Sequence, residues 1–184
     1  MQLQLTAEEK RILLETARDA IASRLSGRSP KTRAAGGTLA IPCGAFVTLR
    51  KRGNLRGCIG LVAASKPLLE TVREMAEASA FDDPRFPSLQ SGELAEVTIE
   101  ISALSPFARI ADPGEIRVGE HGIMIRLGHR SGLLLPQVAT EQGWDRETFL
   151  TQTCYKAGLP GDAWKSGGAV IEIFSAIVFH ESEE

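Results

Sequence analysis

Ala45-Phe-Val-Thr-Leu-Arg-Lys-Arg-Gly-Asn-Leu-Arg-Gly-Cys-Ile-Gly60 reads as two strands folded back on each other. Phe46 to Arg52 has strand character, and Gly53-Asn54 suits a two-residue hairpin turn. That turn predicts Arg52 opposite Leu55, Lys51 opposite Arg56, Arg50 opposite Gly57 and Leu49 opposite Cys58. Cys58 then shares a face with Arg56, two residues away, and lies diagonally from Lys51. Cations at that range favour a thiolate. Gly57 and Gly60 bracket the sulfur and leave room for another backbone or a ligand. The same residues also fit a cysteine acting as a small buried hydrophobe, and a slip of one residue would turn Cys58 to the opposite face. On the residues alone both readings stand.

Outward from the hairpin, helices and strands mix without regular alternation. Thr6-Ala-Glu-Glu9 fits a capping box opening a helix over Ala7–Leu25, with Leu13, Ala17, Ile21 and Leu25 on one stripe. Residues 26–37, rich in Gly, Ser and basic side chains, read as a mobile loop. A second helix is predicted from Pro67 to Ala80, inward-facing at Leu68, Leu69, Val72 and Met75, and ended by the prolines of Phe81-Asp-Asp-Pro-Arg-Phe-Pro87. Ala95–Ala103 alternates as a half-buried strand, Gly122–Leu127 and Gly168–Phe179 have strand character, and Asp145–Gly158 reads as a third helix. The pattern predicts an α+β fold: a mostly antiparallel sheet flanked by about three helices.

The 184-residue chain carries 21 Lys+Arg against 23 Asp+Glu, a net charge of −2, with 43% hydrophobic residues. This is the composition of a globular domain, and a single domain over 1–184 is expected, closed by an acidic tail at 181–184. No apolar run approaches the roughly 18 residues of a membrane-spanning helix. No secretory leader is visible, and the three scattered cysteines read as reduced thiols, so a cytoplasmic location is expected. A pI near 6.0 and ten aromatic residues argue against nucleic-acid binding.

Leu55-Arg-Gly-Cys-Ile-Gly60 (LRGCIG) resembles the signature hexapeptide of the AMMECR family. Ala80-Phe-Asp-Asp-Pro-Arg-Phe-Pro87 is similar to the family's second block and Ile101-Ser-Ala-Leu-Ser-Pro106 to a third. Gly132–Ala139, Gly143-Trp144, Cys154–Pro160 and Trp164 resemble its bacterial and archaeal branch. The resemblance runs from about Leu13 to Phe179. It implies an α+β domain with a larger and a smaller lobe. It also implies an association known as the AmmeMemoRadiSam system, of which this chain would be protein A. The partners would be a Memo-like protein related to extradiol dioxygenases and a radical S-adenosylmethionine enzyme. It supplies no reaction, cofactor or metal for this component.

The polar constellations carry two readings. Asp82-Asp83-Pro84-Arg85 places two carboxylates and a guanidinium on a proline-stiffened loop. They read either as acid/base groups beside Cys58 or as a turn cap with a local ion pair. Arg50, Lys51, Arg52 and Arg56 suit a phosphate or acidic partner, and equally a soluble sheet edge. Gln137, after Pro136, reads as a cap or as a ligand contact. His121, His129 and His180 lack ligand spacing, so no metal is expected. The expected function is a partner or substrate-handling component acting with the two proteins above. The alternative is an enzyme with Cys58 as thiolate nucleophile or covalent carrier. Asp82 and Asp83 would then serve as acid/base groups, and Arg56, Gly57, Gly60, Arg85 and Gln137 would hold a small anionic substrate.

Overall fold

The alternating apolar strands and capped helices assemble, in a computed structural model describing residues 3–62 and 65–181, into two compact units. One comprises Leu3–Leu104 with the chain from Ile177 on, and the other Ser105–Ala176. The α+β class is as expected, but the strands form two four-stranded sheets, one in each unit.

In the first unit, helix α1 (Ala7–Ser26) starts at the expected capping box: Thr6 Oγ1 accepts from the Glu9 amide at 3.2 Å, and Glu9 Oε2 accepts from the Thr6 amide at 2.9 Å. It ends at Gly27, whose φ of 68° is the left-handed turn that releases a helix. Strands β1 (Ala45–Lys51) and β2 (Asn54–Leu61) form the hairpin, and β3 (Val97–Leu104) pairs antiparallel with β1 on its other side. Strand β8 (Ala176–His180) closes the order β2-β1-β3-β8, so β2 is an edge. Helix α2 (Leu68–Phe81) and α1 cover one face of this sheet. Leu13, Ile21, Leu68, Val72 and Ala76 meet Val47, Leu49, Ile99 and Ile101 in a core with no solvent exposure. Each such leucine or isoleucine contributes about 2 kcal/mol of burial. Residues 28–33 have no regular structure but are tied to α1: Arg28 Nη2 and the Lys31 amide donate to Asp19 at 2.6 and 2.7 Å, and Arg33 pairs with Glu15. Of the acidic tail, Glu181 pairs with Arg18 of α1, and 182–184 lie outside the described residues.

The hairpin turns one residue earlier than the sequence predicts. Arg52 and Gly53, not Gly53 and Asn54, occupy the two left-handed positions, with φ of 51° and 79°. Lys51 faces Asn54 and Arg50 faces Leu55; an irregularity at Arg56 then resets the pairing, so Leu49 faces Gly57 and Thr48 faces Cys58. Cys58 is therefore on the face of Thr48 and Phe46, opposite the helices. The predicted cluster of Cys58 with Lys51 and Arg56 does not form.

In the second unit, β4 (Ala108–Ile110), β5 (Gly122–Leu127), β6 (Arg130–Leu134) and β7 (Val170–Phe174) take the order β4-β7-β5-β6. The predicted strand over 168–179 is two strands. Ser175 interrupts it, its amide donating to Ser105 Oγ and its carbonyl accepting from the Ser105 amide. Helices α3 (Pro136–Glu141) and α4 (Arg146–Lys156) supply Ala139, Phe149, Leu150 and Cys154 to a core with Ile123 and Ile125. Asp145 caps α4 by accepting from the Thr148 amide, as predicted, and the short α3 brings the α-helices among the described residues to four where about three were expected.

Candidate functional site

The LRGCIG strand is held from three sides. Cys58 on the edge strand β2 points its amide and carbonyl away from β1. Asp83 Oδ2 accepts from the Cys58 amide at 2.8 Å, and Arg85 Nη2 donates to the Cys58 carbonyl at 3.0 Å. The two side chains together present the acceptor and donor that a neighbouring strand would. They are themselves locked: Arg85 Nε and Nη2 donate to the two oxygens of Asp83 at 3.0 and 2.7 Å, and the Arg85 amide adds a third bond at 3.0 Å. The Asp83 side chain is 2% exposed, and the Arg85 guanidinium beside it, with the Cys58 amide, holds its carboxyl far below the usual range. Asp83 is thus a permanently ionised acceptor with its oxygens engaged, an arrangement that suits holding Cys58 and not exchanging protons.

Arg85 remains 54% exposed, and among the described residues its Nη1 makes no hydrogen bond. Its affinity for its proton is raised chiefly by the hydrogen-bonded Asp83 carboxylate, with Cys58 a smaller contributor. On the sheet face, Thr48 Oγ1 donates to Cys58 Sγ at 3.2 Å.

The remaining predicted residues have other partners. Asp82 is exposed and sits 3.6 Å from Arg24 of α1. Arg56 donates through Nε and Nη2 to both oxygens of Glu93 at 3.1 and 2.9 Å, and Lys51 Nζ reaches Glu93 Oε1 at 3.1 Å. A cation assigned to substrate thus anchors the hairpin to a 3₁₀ turn at Ser91–Glu96. Gly57 gives room to a backbone, as its type allows: a Cβ there would lie 2.1 Å from the Ser79 carbonyl oxygen of α2. The space over Gly60 is filled by the Phe46 ring. Gln137 belongs to the other unit, on α3, where its carbonyl accepts from the Thr140 hydroxyl. Cys43 and Cys154 are buried, and burial pushes both thiols up. Among the described residues no set of His, Cys, Asp or Glu is placed to hold a metal ion, and no helix is long and apolar enough to cross a membrane.

Two residues of this site carry no motif signal. Thr48 sits inside an apolar strand where valine would be ordinary. Glu93 lies 37 positions from Arg56 and is foreshadowed only by Gln90, with which it forms a capping box. The Arg56 guanidinium, with the Gln90 amide and Lys51, lowers the Glu93 carboxyl from 4.5 to about 2. A depressed carboxylate stabilises the fold above its unfolded value and loses that contribution as pH falls through its folded value. Glu93→Gln is therefore expected to lower stability at neutral pH by about 1–3 kcal/mol and to flatten the loss between pH 4.5 and about 2, read by urea unfolding at stepped pH. A variant with the wild-type acid slope would refute the role.

A family model described as AMMECR1 matches residues 14–179. The chain belongs to the AMMECR1 family. Among AMMECR1-family relatives, Protein MK0488 of Methanopyrus kandleri is 45% identical, the match covering 97% of this chain and 91% of the relative. A protein of Methanothermobacter thermautotrophicus is 44% identical, with 96% of each chain covered. The solved structure of uncharacterized protein PH0010 from Pyrococcus horikoshii superposes with a TM-score of 0.79 at 39% identity, over 92% of this chain and 90% of that one. The AMMECR1 match includes both segments that build the site, Leu55–Gly60 and Asp82–Arg85.

Proposed function

We propose that this AMMECR1-family chain is a substrate-handling or docking component that works with a Memo-like, dioxygenase-related protein and a radical S-adenosylmethionine enzyme. The LRGCIG hairpin would be its presenting surface. The observation that carries this reading is where the charges go. Asp83 and Glu93 are spent on holding Cys58 and Arg56 in place, and Glu96 and Glu100 pair with Arg52 and Arg50 of the same hairpin. A surface built this way is preorganised for recognition and, among the described residues, has no free acid/base pair of the kind that proton transfer needs. The resemblance of the sequence blocks supports the choice of partners. Co-elution of the purified chain with the Memo-like and radical enzymes of the same organism on size exclusion is the expected result. Failure to bind either would overturn the proposal.

A second reading, Cys58 as a nucleophile or covalent carrier for a small anionic substrate, is favoured by one observation: the sulfur receives the Thr48 hydroxyl in a residue whose carbonyl is held by the half-exposed Arg85. In the native protein, Cys58 is expected to react with iodoacetamide at least about tenfold faster than the buried Cys43 and Cys154, with Cys58→Ser as control. A thiol that resists until the protein unfolds ends this reading.

A further inference from the structure

We propose that Thr48 is the positioning residue of the Cys58 thiol, aiming the sulfur along the sheet face opposite the helices and donating to it when it is ionised. The inference rests on the reading of Cys58 as a working thiol and goes one residue deeper. Because the Cys58 amide and carbonyl are turned outward to Asp83 and Arg85, Thr48 and Cys58 form a non-hydrogen-bonded pair of the antiparallel ladder. In such pairs the facing side chains approach most closely. The clamp on the outer edge of β2 therefore sets the contact on its inner side.

The chemistry of Thr48 points the same way. Its side chain belongs to a residue only 8% exposed, in the middle of β1 between the buried Val47 and Leu49. A buried hydroxyl without a partner costs roughly 1–3 kcal/mol, and valine would fill the same volume without that cost. Among the described residues its one side-chain hydrogen bond goes to Cys58 Sγ. A thiol is a weak acceptor, whereas an ionised sulfur accepts a hydroxyl as a strong, charge-assisted bond. The hydroxyl is thus worth most when the sulfur is ready to react.

The other charged groups around the sulfur are few. On β1, Arg50 is two residues along on the same face. On β3, Glu100 stands in the same cross-strand row beyond Thr48, 3.8 Å from Arg50. Asp83 and Arg85 hold the Cys58 backbone from the loop after α2. Arg56 on β2 is committed to Glu93, and α2 lies on the opposite face. Arg50 and Arg85 stay in place in any Thr48 variant, so the hydroxyl can be tested by itself.

The test is the rate of Cys58 alkylation by iodoacetamide followed by peptide mass spectrometry from about pH 6 to pH 10. In that reaction the sulfur–carbon bond forms as the carbon–iodine bond breaks, and the thiol proton passes to buffer. Thr48→Val is expected to slow alkylation near neutral pH by about tenfold and to move the rate profile to higher pH, while Thr48→Ser keeps the wild-type profile. Thr48→Ala supplies a second hydroxyl-free variant should valine disturb the sheet, and thermal melting confirms that each is folded. A purely structural Thr48 would alter melting and leave the pH profile in place. Wild-type and Thr48→Val proteins reacting alike would overturn the inference while leaving Cys58 as a working thiol. A wild-type thiol that never reacts in the folded state would remove that reading and the inference together.

Discussion

Gly57→Ala is expected to destabilise the first unit by about 3 kcal/mol or more, at the upper end of what overpacking costs. The added Cβ would lie 2.1 Å from the Ser79 carbonyl oxygen and 3.1 Å from its carbonyl carbon. These are backbone atoms of α2 and cannot rotate away. Relief requires moving β2 or moving a helix whose Leu68, Val72 and Ala76 are fully buried against the sheet. Either displacement opens core contacts made by several side chains at once. Gly92→Ala is the matched control, since a Cβ there meets nothing within 4 Å, and it should stay within about 0.5 kcal/mol of wild type. Urea unfolding of both variants decides the matter. A Gly57→Ala protein as stable as the control would mean that α2 does not press on the LRGCIG strand.

Asp83→Asn is the second large effect. The change keeps the shape but turns one acceptor atom into a donor facing the Arg85 fork and the Cys58 amide. Hydrogen bonds to a charged group contribute about 1.5–3 kcal/mol each, and the exposure of Arg85 reduces the share owed to charge attraction. A loss of about 2–3 kcal/mol is expected, with faster hydrogen exchange at the Cys58 amide. Because the Asp83 carboxyl is held below its ordinary value of 3.8, its contribution is complete above that pH and fades as pH falls beneath it. The gap between wild type and variant should therefore narrow in acid. A gap that stayed constant down to acid unfolding would show that the carboxylate is not what holds the strand. Arg85→Lys should not restore the bond pattern, since an ammonium cannot grip both carboxylate oxygens and the Cys58 carbonyl in one plane.

Much of the fold was legible because the signals are local. Thr6 and Glu9 lie three residues apart and cap α1 as their spacing predicts, and Asp145 does the same for α4. The alternation of Val97, Ile99 and Ile101 placed β3 in a half-buried sheet, and the prolines after Phe81 ended α2. The site was less legible because its geometry depends on partners far along the chain. Glu93 draws Arg56 and Lys51 away from Cys58 across 37 and 42 positions, and Asp83 reaches the Cys58 amide across 25. Asp82 and Asp83 are chemically identical neighbours, yet one is exposed beside Arg24 and the other is 2% exposed under Arg85. No spacing rule distinguishes them, because the choice is made by where the end of α2 meets the edge of β2.

By itself the sequence determined the helices, the strands, the α+β class and the AMMECR resemblance, since periodicity, caps and motif residues act within a few positions of one another. Only the tertiary structure decided which face Cys58 occupies. The hairpin turns at Arg52-Gly53 and not at Gly53-Asn54, and a strand's side chains alternate with each residue. Moving the turn alone would leave Cys58 opposite Val47, on the face of Leu49; the extra residue that the irregularity at Arg56 adds to β2 turns the sulfur to the other face and sets it against Thr48.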